Sequence, residues 1–214
     1  MAWSNAPLTR GEVESLTNVW RARGLVPVLI AVASAFAAWA LLLPVVPTAV
    51  IDADQPASLA GLSTGVFMLA TVITQVFVPK ALKTVGYRWV IAVASLLLGI
   101  PALGYMIGME PAPLLAVSAI RGVGFGALSV AEAAIVAELV PLRLLGSATG
   151  IFGVVVGLAQ MVALPSGLAL VDVVGYNAVY IIATAIGAVS LAACFAIPTI
   201  PVSYTHLTLP TSDL

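Results

Sequence analysis

Within the long apolar stretches of this chain only two charged side chains occur, Arg121 and Glu132, both in the stretch from Leu114 to Ala137. On a helix the eleven positions between them make close to three full turns, so both lie on one face, about 16 Å apart along the axis and too far to pair. Ser129 falls nearly on the same line. An arginine deep in hydrocarbon costs about 2.5–3.5 kcal/mol on insertion scales, so it must face protein or a water-filled cavity and find a partner. The arrangement reads as a polar lining with a cation toward one end and an acid toward the other. Arg121 binds substrate charge or organises helix packing; Glu132 accepts a proton, contacts substrate, or forms a lid. Gln75 and Gln160 carry amides that need partners in an apolar medium, and Trp39 offers a ring for packing or stacking. Thr64, Thr71 and Thr74 make no such demand, because their hydroxyls can bond carbonyls of their own helix.

Composition names the medium. The 214 residues are 62% hydrophobic and 8% charged, with mean hydropathy +1.16, which places the chain in lipid. A net charge of −1 and a pI of about 5.7 supply no basic footprint for nucleic acid. Cys194 is the single cysteine, excluding an internal disulfide or a cysteine metal cluster. No histidine falls in an apolar stretch, Cys194 has no base near it in sequence, and intramembrane acids do not occur in pairs. Neither nucleophilic nor metal catalysis therefore has its residues, and no cofactor is expected.

Six stretches are long enough to cross about 30 Å of hydrocarbon at 1.5 Å per residue: Leu25 to Val50, Leu59 to Val78, Trp89 to Met109, Leu114 to Ala137, Ala148 to Leu170 and Ala178 to Ile200. Pro56, Pro79, Pro111 with Pro113, Pro141, and Pro198 with Pro201 punctuate their ends. Seven of the eight Lys and Arg residues fall in three segments, Arg10 with Arg21 and Arg23, then Lys80, Lys83 and Arg88, then Arg143. The alternate connections carry Asp52 and Asp54, Glu110, and Asp172. This alternation is the positive-inside pattern, with the N-terminus in the cytoplasm. The expected fold is an all-α polytopic membrane protein: a cytoplasmic segment over residues 1–24, in which Val13, Leu16 and Trp20 can line one face of a short helix, then a six-helix bundle over 25–200. Residues 201–214 stand apart. The run from Val202, VSYTHLTLPT, matches over ten codons a transposase sequencing adapter read as GTC TCT TAT ACA CAT CTG ACG CTG CCG ACG. The tail is thus expected to be non-native and the natural sequence to break off near Pro201, leaving His206 without chemical meaning.

The two three-span blocks echo each other. Val85-Gly86-Tyr87 precedes the third span and Val174-Gly175-Tyr176 the sixth, with Lys83 and Arg88 in the first replaced by Asp172 and Asn177 in the second. Equivalent placement is what a 3+3 inverted repeat predicts, and such repeats mark secondary transporters.

Three further segments carry a family resemblance. Pro79-Lys80-Ala81-Leu82-Lys83-Thr84-Val85-Gly86-Tyr87-Arg88 resembles, in diverged form, the loop between the second and third helices of major facilitator superfamily transporters, usually Gly-x-x-x-Asp-Arg-x-Gly-Arg-Arg. Gly86 and Arg88 match; Pro79 replaces the leading Gly and Lys83 the acid. Arg121-Gly122-Val123-Gly124-Phe125-Gly126-Ala127 is similar to the family's Arg and Gly-rich motif in its fourth helix. The segment from Ala137 to Gly150 resembles its loop into the fifth helix, though Leu144 and Leu145 depart from Pro-x-x-Arg-Gly. The family's antiporter motif sets Pro directly after a Gly, whereas Leu158 follows Gly157, so direction of transport stays open.

The resemblance implies a secondary, proton-coupled transporter of the bacterial inner membrane that moves a small solute by alternating access. This chain would be its N-terminal half, lacking a C-terminal partner half. Lys80, Lys83, Gly86 and Arg88 would form the cytoplasmic gating loop, and Arg121, Glu132, Gln75, Trp39 and Gln160 the substrate or ion pathway. The alternative is a non-transporting six-helix assembly or sensor subunit. Polar side chains would converge on one cavity in the first case and scatter in the second.

Overall fold

Backbone amides and carbonyls find no water inside hydrocarbon and must bond within their own segment, which a helix achieves residue by residue. The computed structural model describes residues 8–198, and among them every regular element is helical. The expected non-native tail at 201–214, His206, and the last two residues of the sixth span lie outside the described residues.

The polar N-terminal segment holds α1 (Arg10–Glu14), closed by a reciprocal cap in which Glu12 N–H donates to Thr9 Oγ1 at 3.4 Å and Thr9 N–H donates to Glu12 Oε2 at 3.0 Å. A separate 3₁₀ turn, Val19–Arg21, follows, with Trp20 N–H donating to Asn18 Oδ1. Because this second turn is capped independently, Val19 faces inward and Trp20 is 58% exposed. Val13 and Leu16 pack against the bundle without it.

Five longer helices come next: α2 (Leu25–Asp52), α3 (Ala57–Val85), α4 (Tyr87–Gly99), α5 (Pro111–Glu138) and α6 (Leu142–Phe195). A 3₁₀ segment, Ile100–Met106, continues α4 from the point where Pro101 removes a backbone donor. Pro56, Pro111 and Pro141 sit at helix starts as expected. Pro79 does not end its helix: α3 runs through it to Val85. Lys80 and Lys83 are accordingly exposed positions on the last turns of α3, and the expected loop shrinks to Gly86.

The 54 residues of α6 would measure about 80 Å if straight, more than twice a hydrocarbon core. They do not run straight. Gly175 takes φ 79°, ψ 166°, a conformation closed to most side chains, and divides α6 into arms 142–174 and 176–195. Arg143, at the start of the first arm, donates to the carbonyls of Glu14 and Leu16. Pro198, just past the second, touches Gly24. The arms thus return to the same end of the bundle and serve as the fifth and sixth spans. Gly86, between α3 and α4, has φ 87°, ψ 162°. Both Val-Gly-Tyr sites therefore bend the backbone in the same way.

The second arm lies antiparallel to α4, with Ser95 Oγ and Ser190 Oγ 3.0 Å apart and Thr184 donating to the Gly99 carbonyl. At the far end Tyr176 donates to Asp52 Oδ2 at 2.6 Å, tying this arm to α2. The packing centres on α2, most of whose residues are buried. By contrast α3 presents Leu69, Val72, Val76 and Phe77 outward, Val76 at 73% exposure. An exposed apolar face of this extent fits lipid and not water.

Gly86→Val and Gly175→Val should each lower the thermal unfolding midpoint in detergent, at a cost of about 1–3 kcal/mol for a strained φ. Gly61→Ala, in open space on α3, should not. Equal midpoints for all three variants would contradict the two bends.

Candidate functional site

The glycine-rich run of α5 lets three helices meet backbone to backbone. A Cβ on Gly126 would stand 2.5 Å from the Thr71 carbonyl oxygen of α3, and one on Gly124 would stand 2.5 Å from the Leu98 nitrogen of α4. Gly122 meets the Phe67 carbonyl of α3 as closely. Alternate glycines thus face opposite neighbours, and α5 is wedged between them. Two polar stitches reinforce the α3–α5 seam: Thr71 Oγ1 lies 2.9 Å from the Phe67 carbonyl oxygen and 3.1 Å from that of Gly122, and Gln75 Nε2 donates to Ser129 Oγ at 3.1 Å.

Arg121 is carried into this seam, about 15 Å from the start of α5 and 3% exposed. Its Nε–H donates to the Leu98 carbonyl at 3.1 Å, Nη1 to Tyr105 Oη at 3.5 Å, and Nη2 to the Ala38 carbonyl at 3.5 Å. One side chain on α5 therefore reaches α2, the end of α4 and the 3₁₀ segment. The Leu98 carbonyl is available for a physical reason: where the helix tightens to i→i+3 bonding, its partner would be Pro101, which has no N–H. The guanidinium also lies over the Tyr105 ring, 5.5 Å from its centroid, and 6.0 Å from that of Phe67. Among the described residues no carboxylate comes within ion-pair distance of it.

Beside Arg121 is a cavity of about 30 Å³ whose walls include Trp39, Ser63, Phe67, Tyr105 and Ser118. Trp39 stacks on Phe125 with centroids 4.5 Å apart, and its Nε1–H is buried without a partner. Ser118 Oγ and Tyr105 Oη are 3.1 Å apart.

Of the five residues expected in a pathway, Arg121 and Trp39 share this cavity. The other three do not line it. Gln75 pairs with Ser129; Gln160 Nε2 donates to the Val156 carbonyl of its own helix at 3.4 Å. Glu132 is 0% exposed, and neither carboxyl oxygen has a hydrogen-bond partner. Of the expected gating residues, Arg88 turns inward to the Ile197 carbonyl, while Lys80 and Lys83 point outward. Sequence reasoning missed Tyr105, Ser63 and Ser118 as cavity residues. Ser118, one helical turn before Arg121, could have been found by its i−3 spacing. The spacing of Gly146, Gly150, Gly153 and Gly157 at three and four residues predicts a smooth face for close helix contact, yet these glycines meet nothing within 4 Å. Among the described residues no group of three or more His, Cys, Asp or Glu is placed to hold a metal.

Long apolar helices with exposed apolar flanks define a multi-pass membrane protein. The sequence matches the family model described as Major Facilitator Superfamily over residues 28–211, and the chain belongs to that family of membrane transporters. No curated protein matches it.

Gly124→Ala should destabilise the chain in detergent by about 1–3 kcal/mol, because a Cβ there has nowhere to go. Gly150→Ala, in open space, should be neutral or gain up to about 1 kcal/mol from helix propensity. Equal thermal midpoints would contradict the backbone contact between α4 and α5.

Proposed function

We propose that this chain is the N-terminal six-helix half of a proton-coupled secondary transporter. It sits in a bacterial inner membrane with its N-terminus in the cytoplasm and moves a small solute by alternating access against a second half. The single observation that carries the reading is Arg121, a guanidinium buried among three helix elements yet bordering a cavity. Its insertion cost is hard to explain by packing alone. The cations of the three connections, set against the acids of the alternate ones, support the orientation. The shared bend at Gly86 and Gly175, at matched places three spans apart, supports a 3+3 inverted repeat. Glu132 is the acid assigned to the coupling proton: it is the one carboxyl within the spans, fully buried, with neither oxygen partnered, so gain and loss of a proton can be tied to a change in its surroundings. Lys80, Lys83, Gly86 and Arg88 form the cytoplasmic hinge between α3 and α4.

One observation favours the second reading, a non-transporting assembly or sensor subunit: Gln75, Gln160 and Glu132 do not border the Arg121 cavity. Transport assays separate the two readings. The complete protein in proteoliposomes with an imposed proton gradient should take up solute, Arg121→Gln should slow uptake by about tenfold or more, and Glu132→Gln should leave uptake independent of the gradient. Unchanged, gradient-driven uptake in both variants would refute these roles, and no uptake of any solute would favour the subunit reading.

A further inference from the structure

We infer that the cavity beside Arg121 receives the carboxylate group of a small anionic solute, with the Arg121 guanidinium and Trp39 Nε1–H as its donors. The inference rests on the transport reading for its physiological meaning, and on the chemistry of the cavity walls for its substance.

A guanidinium offers five N–H donors and no acceptor. Arg121 directs three hydrogen bonds at neutral oxygens, two of them long at 3.5 Å, and meets no carboxylate among the described residues. Its positive charge is thus solvated only by dipoles and rings, in a medium where a buried unpaired charge is costly. Trp39, whose side chain lines the same cavity, has a buried Nε1–H, a donor only, with nothing to accept from it. The hydroxyls on the walls are already engaged: Ser63 Oγ donates to the Ala60 carbonyl at 2.8 Å, and Ser118 is paired with Tyr105. No acidic side chain borders the cavity. The Ser63 and Thr64 hydroxyls keep lone pairs that accept from a neutral donor, but what these walls lack is an acceptor carrying negative charge, and a cationic solute would meet the like charge of Arg121.

Size and lining narrow the class. About 30 Å³ holds one or two water-sized groups, so the cavity accepts a headgroup and not a whole solute. Leu42, Leu43, Val46 and Phe67 make the rest of the wall apolar. A carboxylate joined to a compact apolar or aromatic body satisfies both parts. The carboxylate takes the charge-assisted bonds, which are the strong ones, and the body meets the ring and the aliphatic side chains.

The purified chain in detergent tests this with three probes of one shape: benzoate, benzamide and benzylamine, read by thermal unfolding and tryptophan fluorescence. Benzoate should protect saturably and the other two should not. Arg121→Lys, which keeps the charge but loses the fork, should weaken benzoate by about tenfold or more, and Trp39→Phe, which keeps the ring, by about threefold or more. Equal responses to benzoate and benzamide, no saturable benzoate response, or benzoate binding untouched by either substitution would overturn the anion site. Trp39→Phe keeps the test sharp should Arg121→Lys fail to fold. The transport reading fails separately: benzoate binding by the chain, with no uptake of any solute by the complete protein, would leave the site standing and remove its proposed purpose. Uptake indifferent to competing benzoate would do the reverse.

Discussion

In hydrocarbon a polar group that cannot reach water must be answered by the protein, and the hydrogen bond from Arg121 to the Leu98 carbonyl shows how this chain meets that constraint. The bond needs three features of sequence at once. Pro101 withdraws the donor that i→i+3 bonding in the turn after α4 would offer to Leu98. Gly124 lets α5 approach α4 at backbone distance. Arg121, almost one turn before Gly124, then reaches across with a side chain long enough to find Ala38 and Tyr105 as well. Truncating Arg121 would take its donor from the Leu98 carbonyl, and a side chain at Gly124 would force α5 off α4.

The same constraint explains where the remaining polar groups lie. Thr71, Thr74, Thr149 and Ser166 donate to carbonyls of their own helices, which makes them nearly apolar from outside. Gln75 is satisfied across the α3–α5 seam by Ser129. Among the described residues the exceptions are Glu132, with two unanswered oxygens, Trp39 Nε1, Tyr180 Oη and Arg88 Nε. Native proteins answer nearly all buried polar atoms, and of these exceptions Glu132 and Trp39 are the two that the proposed proton and ligand roles would engage.

The membrane architecture was plain from hydropathy and from the alternation of cations and acids, because both are sums over many residues and tolerate local error. The Val-Gly-Tyr sites at Gly86 and Gly175 were legible as an echo between the two three-span blocks, but the bend at each is a positive φ that the residue types alone did not declare. Pro79 misled, since a proline inside a membrane helix loses one hydrogen bond without ending the helix when its neighbours supply the support. The site was half legible. Arg121 announced itself by its cost, and Trp39 by its position mid-span. Ser63 and Tyr105 lie on other helices, and the rotation of each helix about its axis, which decides what faces Arg121, is set by packing at Gly122, Gly124 and Gly126 and not by local periodicity. Glu132 shares a helix face with Arg121, as its spacing requires, yet borders a different environment.

The enclosure of Arg121 is most directly tested by hydrogen–deuterium exchange of the arginine Nε–H groups, followed by NMR on the ¹⁵N-arginine-labelled chain in lipid nanodiscs. One Nε–H resonance, absent in Arg121→Lys, should exchange slower by orders of magnitude than that of Arg23, whose side chain lies at the exposed end of the bundle. If the resonance lost in Arg121→Lys instead exchanges as fast as that of Arg23, the guanidinium is open to water and the account of a charge sealed into the helix seam is wrong.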